Sequence, residues 1–253
     1  MDNGKLFNSC YGADPSVFAE KVIITPFISL ERFKGYCNVR SVFKGALYSG
    51  FTAEKKGEDV TVIWSGIGDR LAGDAVLLLR QTRAKNVLFA GTCGGLNDCG
   101  IGDLLVAEGA FSGEGFSRYY DKDFSMAKVF KEEGLICADS LWSKKLLRFL
   151  KENTKNELIL KNGNIFTVGS LVAEIPGNLE YIQKKGFKGI EMELSAVFRA
   201  AEVAGLKAAG LVMVSDRPLE KGIGEELSSK EREAFKKGLA DVLRLAMDFC
   251  CIE

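Results

Sequence analysis

From Gly189 to Asp216 the chain reads as strand, helix, strand. Gly189-Ile190-Glu191-Met192-Glu193 is an apolar strand opening onto acids, and Leu194–Ala204 follows with helical periodicity. Ala208–Val214 is then a second apolar run, ending in Ser215-Asp216. Further strand-length runs lie at Val22–Thr25, Ala46–Thr52, Val60–Trp64, Val87–Ala90, Leu104–Ala107 and Ile165–Val168. Helix-period segments lie at Leu71–Thr82, Leu141–Leu150 and Glu231–Phe249. This alternation predicts an α/β fold with a central, largely parallel sheet flanked by helices. Ala46–Trp64 reads as a hairpin around the charged turn Glu54-Lys55-Lys56-Gly57-Glu58-Asp59, which makes the sheet mixed. No composition break or repeat divides the chain, so residues 1–253 are read as one domain.

The chain contains no histidine, which removes Ser-His-Asp and Cys-His catalysis and nearly every catalytic zinc site. Its seven cysteines include no Cys-x-x-Cys pair, so buried thiols in a reducing compartment fit better than a disulfide framework. Lysine plus arginine equals aspartate plus glutamate at 34 each, leaving no net field to draw nucleic acid or an anionic membrane. With no apolar run of membrane length and no signal-peptide core, a cytoplasmic protein is expected. Chemistry must come from carboxylates, hydroxyls, backbone amides and arginines, with no metal or cofactor.

Three constellations could supply it. Gly91-Thr92-Cys93-Gly94-Gly95 follows the run Val87–Ala90, where glycines let backbone amides approach a ligand beside the Thr92 hydroxyl. Ser65-Gly66-Ile67-Gly68-Asp69-Arg70 is a second strand-to-helix glycine turn. The third is Glu191-Met192-Glu193 with Ser215-Asp216. A carboxylate such as Glu193 can accept hydrogen bonds from two vicinal hydroxyls. Asp216, if protonated at an apolar strand end, could give a proton to a departing heterocycle. The plainer reading of these acids is helix capping. Two stretches read as mobile, Glu108–Ser125 and Pro218–Ser229, the second a lid following Asp216.

In this order and spacing these residues resemble the nucleoside phosphorylase superfamily, over roughly residues 21–250. The superfamily includes hexameric purine nucleoside phosphorylases, uridine phosphorylases and methylthioadenosine/adenosylhomocysteine nucleosidases. The resemblance implies a single-domain fold around a mixed, partly barrel-like sheet, scission of a nucleoside C1′–N bond, and a homo-oligomer, dimer or hexamer. It implies that Glu193 holds the ribose hydroxyls while Met192 and Glu191 shape the sugar pocket. Asp216, beside Ser215, would protonate a purine base. Thr92 and Gly91 would lie on the acceptor side, and Val172 or Phe116 against the base.

The phosphate site departs from the family. Where phosphorylases carry Gly-Asp-Pro-x-Arg this chain has Thr25-Pro26-Phe27-Ile28-Ser29-Leu30-Glu31-Arg32, and an arginine position before the Gly-Thr motif is Phe89. A phenylalanine cannot replace a bidentate arginine. Either water is the acceptor, with Glu31 activating it, or inorganic phosphate is a co-substrate held by Arg32, Arg40, Arg70 or Arg118 with Gly68. Water is preferred. A nucleoside-binding protein without activity is the rival from another class.

Overall fold

The computed structural model describes residues 3–154 and 159–252. Helix α1 (Asn3–Tyr11) sends Phe7 and Tyr11 into the core against Phe18 and Phe43. It leads to β1 (Lys21–Thr25), whose Val22, Ile23 and Ile24 are fully buried. After a short α2 (Leu30–Lys34) come β2 (Asn38–Lys44), β3 (Ser49–Lys55) and β4 (Glu58–Trp64). The predicted hairpin is β3–β4, closed where Lys56 and Gly57 take φ of 56° and 85°, as a two-residue loop matched to strand twist requires. It begins at Ser49 instead of Ala46, because Ala46, Leu47 and Tyr48 donate backbone hydrogen bonds to Ser9 and Cys10 at the end of α1. Strand β2 was not anticipated: it is an edge strand with only Phe43 buried, so it carries no apolar run.

The chain continues through α3 (Asp69–Leu78), β5 (Asn86–Gly95), β6 (Leu104–Gly113), α4 (Met126–Glu132), β7 (Leu135–Cys137) and α5 (Ser140–Asn153). It ends with β8 (Leu160–Val168), α6 (Pro176–Lys184), β9 (Gly189–Glu191), α7 (Leu194–Ala204), β10 (Lys207–Asp216) and α8 (Ser229–Cys250). Caps set the helix starts: Asp139 accepts from Trp142 N at α5, and Ser228 with Glu231 forms a reciprocal box at α8. The segment expected to be mobile from Glu108 begins as ladder, since β6 keeps pairing with β8 as far as Gly113.

Strand β5 is the hub. One edge is shared by β1 at its start and β9 at its end, while β10 runs along the other. Strands β10, β6, β8, β9 and β5 therefore close on themselves into a barrel-like ring, from which β1, β4, β3 and β2 extend. The fold is the expected single α/β domain, but its sheet is evenly mixed and not largely parallel. Ring closure places β9 antiparallel to β5 while β10 is parallel to it. Helices α1, α3 and α7 pack one apolar cluster and α2, α5 and α8 another. No described helix is long and apolar enough to cross a membrane.

Candidate active site

Near the end of β5, Gly94 pairs with Ile190 of β9 across one edge and with Asp216 of β10 across the other. The two acid-bearing segments thus meet at one point although their strands run in opposite senses. Glycine is required there by space. A Cβ on Gly95 would lie 2.6 Å from Val214 Cγ1 and 2.8 Å from the Cys99 carbonyl oxygen, and one on Gly94 3.0 Å from Ile190 Cγ2. Gly91–Gly95, expected to be a ligand-cradling turn, is strand throughout, and Gly94 and Gly95 serve close strand packing.

The acids divide their work. Glu191 is buried; its Oε1 accepts from Thr167 Oγ1 (2.6 Å) and its Oε2 from the backbone amides of Glu193 and Leu194 (2.7 Å each). Glu191 therefore caps α7 from inside the barrel. Glu193 occupies the N-cap position but makes no side-chain cap, which leaves its carboxylate facing a cavity. There Oε1 accepts from Gly68 N (2.6 Å), made available by the positive φ of Gly66 and Gly68 in the turn before α3. Burial pushes both glutamates well above the usual carboxylate range, and the Glu193 charge raises Glu191 further.

Asp216 is 5% exposed. Its Oδ1 accepts from Ser215 Oγ (2.7 Å), whereas Oδ2 is buried with no partner. Burial raises its affinity for a proton, against the pull of the Ser215 hydroxyl. A carboxyl whose hold on a proton is strengthened by burial, with one oxygen unmatched, is suited when protonated to donating to a ligand atom.

These groups line one cavity of about 440 Å³, a size suited to a small organic ligand. Thr92, Glu191, Met192, Glu193, Ser215 and Asp216 all reach it. Among the described residues no lysine or arginine lines it. Pro26, Phe27 and Ile67 form an apolar side, and Gly222–Glu225 of the loop after Asp216 form a second wall that carries the Glu225 carboxylate.

Other sequence-predicted residues stand elsewhere. Gly91 does not reach the cavity; its Cβ direction is taken by the Phe89 ring. Phe89 itself is fully buried core. Val172 is 75% exposed, and its neighbour Leu171 lines the cavity instead. Phe116 is exposed and packs on Tyr120, with ring centroids 4.9 Å apart. Glu31 lies on the exposed side of α2, paired with Lys34 at 2.6 Å, because Phe33 is the residue that α2 turns inward. Arg32 shares that exposed surface. Arg40 pairs with Asp59 on the β2 edge at 2.7 Å, and Arg118 with Glu133 at 3.0 Å. Arg70 lines a different cleft, between α3 and α7.

Sequence reasoning missed Glu174, which follows a 3-10 turn over Leu171–Ala173 and lines the cavity with Asp216. Nothing periodic marks it; an acid just before Ile175-Pro176 reads as ordinary loop. Phe27, Ile67 and the loop residue Ile223 were also unforeseen, since exposed apolar residues in loops carry no pattern.

Comparison with known proteins bears on the family and the fold. The family model of the phosphorylase superfamily matches residues 21–249. A Vibrio parahaemolyticus protein named purine nucleoside phosphorylase DeoD-type 2 is 28% identical over 249 residues, covering 93% of this chain and 95% of that one. A Shewanella denitrificans protein named purine nucleoside phosphorylase DeoD-type is 28% identical over 232 residues, covering 87% and 90%. The crystal structure of uridine phosphorylase from Vibrio fischeri shares the fold, with a TM-score of 0.74 at 22% identity over 94% of this chain and 96% of that one. The family match spans the closed ring, both acid-bearing strands and the cavity between them: the chain belongs to the phosphorylase superfamily and is an enzyme of that family.

Proposed function

We propose that this enzyme cleaves the N-ribosidic bond of a purine-type nucleoside and transfers the sugar to water. The observation that carries this reading is the meeting of Glu193 and Asp216 in one cavity that no described lysine or arginine lines. As the C1′–N bond breaks, its electron pair leaves with the base and positive charge grows on the ribose. Asp216 passes its proton to a ring nitrogen, and Glu193 accepts from the ribose hydroxyls while facing the developing cation. Water then adds to C1′ and releases a proton, which restores the Asp216 carboxyl.

The acceptor follows from charge. A phosphate dianion would enter a lining of carboxyl groups with no described lysine or arginine to oppose its charge, whereas water carries no such penalty. Glu31, on the surface, takes no part in this reading. Phosphorolysis is the second reading, favoured by the names of the curated relatives. Base release from a purine nucleoside, measured with and without inorganic phosphate, separates the two. Equal rates are expected; phosphate-dependent release yielding ribose 1-phosphate would overturn the hydrolytic reading. The absence of any release over hours would favour a nucleoside-binding protein.

The same reading takes the protein to be a cytoplasmic homo-oligomer. Phe116 and Tyr120 pack as tilted rings in the open, Tyr120 Oη lies 2.7 Å from Ser170 Oγ, and exposed Leu171, Val172 and Ile175 lie just beyond Ser170 in the chain. Exposed apolar side chains of this kind suit a second copy, which sedimentation would detect.

A further inference from the structure

Two carboxyl groups in the cavity keep an oxygen without an internal partner. Glu174 enters from the segment after β8, and its carboxylate makes no hydrogen bond or ion pair with a described residue. Asp216 enters from the end of β10, nine-tenths buried, with Oδ2 unmatched. Every other acid of the lining is already engaged: Glu191 with three donors, Glu193 with Gly68 N and Glu225 with Gly222 N. The groups around Glu174 are Asp216 on β10, the Tyr119 phenol, whose proton Glu174 helps to retain, and the acids of the shared lining. Arg118 acts on the Tyr119 phenol, but among the described residues no lysine or arginine lines the cavity beside the two carboxyl groups. Two neighbouring carboxyl groups without a counter-ion do not both ionise at low cost; burial and the Asp216 charge push Glu174 up to about 7, so near neutrality the pair keeps a proton to give and an oxygen to accept.

We propose that Glu174 reads the base jointly with Asp216 and selects a purine bearing a 6-amino group over one bearing a 6-oxo group. This rests on the nucleoside-cleavage reading above. A purine shows N7 and its C6 substituent along one edge. In a 6-amino purine that edge offers an acceptor beside an N–H donor, which matches one carboxyl that donates and one that accepts. In a 6-oxo purine the edge offers two acceptors, so an ionised Glu174 would face carbonyl lone pairs. A polar site left unpaired in this way discriminates strongly between substrates.

The test is kcat/KM for adenosine and inosine with the wild type and Glu174→Gln. The wild type is expected to favour adenosine by at least about tenfold, the worth of one charge-assisted hydrogen bond. Glu174→Gln, of similar volume and able both to donate and accept, is expected to bring the ratio to within a few-fold of unity, partly by raising the inosine rate. A wild-type ratio near unity, or a ratio unchanged in the variant, overturns the proposal while leaving nucleoside cleavage standing. If neither nucleoside releases base, the cleavage reading fails. The inference is then decided by calorimetric binding of free adenine and hypoxanthine: preference for adenine that the variant loses supports it, and equal binding ends it. Should Glu174→Gln not fold, Glu174→Ala takes its place, with the same ratio read.

Discussion

Asp216→Asn tests the site most directly. The replacement is nearly isosteric. Ser215 Oγ can still donate to the remaining oxygen, and the new amide takes the place of Oδ2, which already lacked a partner. Stability should therefore change little, with a melting temperature within a few degrees of wild type. What is lost is the acidic proton. General-acid assistance contributes about 10²–10⁴ in rate, or roughly 3–5 kcal/mol of barrier. Steady-state base release should show kcat reduced by that factor, with KM shifted only a few-fold. A p-nitrophenyl riboside supplies the control, because its leaving group departs as an anion and needs no proton. On that substrate the variant should lose less than about tenfold, beneath the general-acid range. If Asp216→Asn stays within tenfold of wild type on its best purine nucleoside, or if both substrates slow equally, Asp216 is not the acid.

Glu193→Gln keeps an oxygen for Gly68 N but loses the charge facing the ribose, so kcat/KM should fall about 10- to 100-fold on a ribonucleoside. The fall should shrink on the 2′-deoxy analogue; equal losses on both would remove Glu193 from the sugar. Glu174, raised to about 7, keeps in the folded state a proton that the unfolded chain releases above its usual value of 4.5. Its contribution to stability is thus present below pH 4.5 and lost as pH rises through 7, on the order of 3 kcal/mol. Urea unfolding should find Glu174→Gln more stable than wild type at pH 8 and level with it near pH 4.5; parallel pH curves would contradict the half-buried, unpaired position of Glu174. Thr167 Oγ1 donates to Glu191 and accepts from Ser195 N (3.0 Å), so Thr167→Val strands two buried polar groups and should cost about 2–4 kcal/mol. A urea midpoint unchanged from wild type would show that Glu191 finds its anchorage elsewhere.

Much of the fold was legible because buried strands and amphipathic helices write their periods into the chain. Leu194–Ala204 coincides with α7, and Val22–Thr25 and Ala208–Val214 lie within β1 and β10. Edge elements left no such mark: β2 buries only Phe43, and β7 has three residues with none buried. The acids of the site were legible for a related reason, since a carboxylate at the end of an apolar run stands out. Which of them would cap the helix was not. Glu191 and Glu193 are two residues apart, and their division of labour depends on Thr167 approaching from β8 and Gly68 from the turn before α3.

By itself the chain determined the α/β class, the family motifs and the two acids on which the proposed chemistry centres, because local period and residue type are properties of neighbours in sequence. The tertiary structure decided that β9 and β10 meet at Gly94 from opposite directions, that Glu191 turns inward to α7 while Glu193 faces the cavity, and that Glu174 joins Asp216. It also carried Arg40, Arg70 and Arg118 to other surfaces. Those outcomes depend on closure of the ring, which brings together residues far apart along the chain, and no local pattern specifies which side chains such a closure sets face to face.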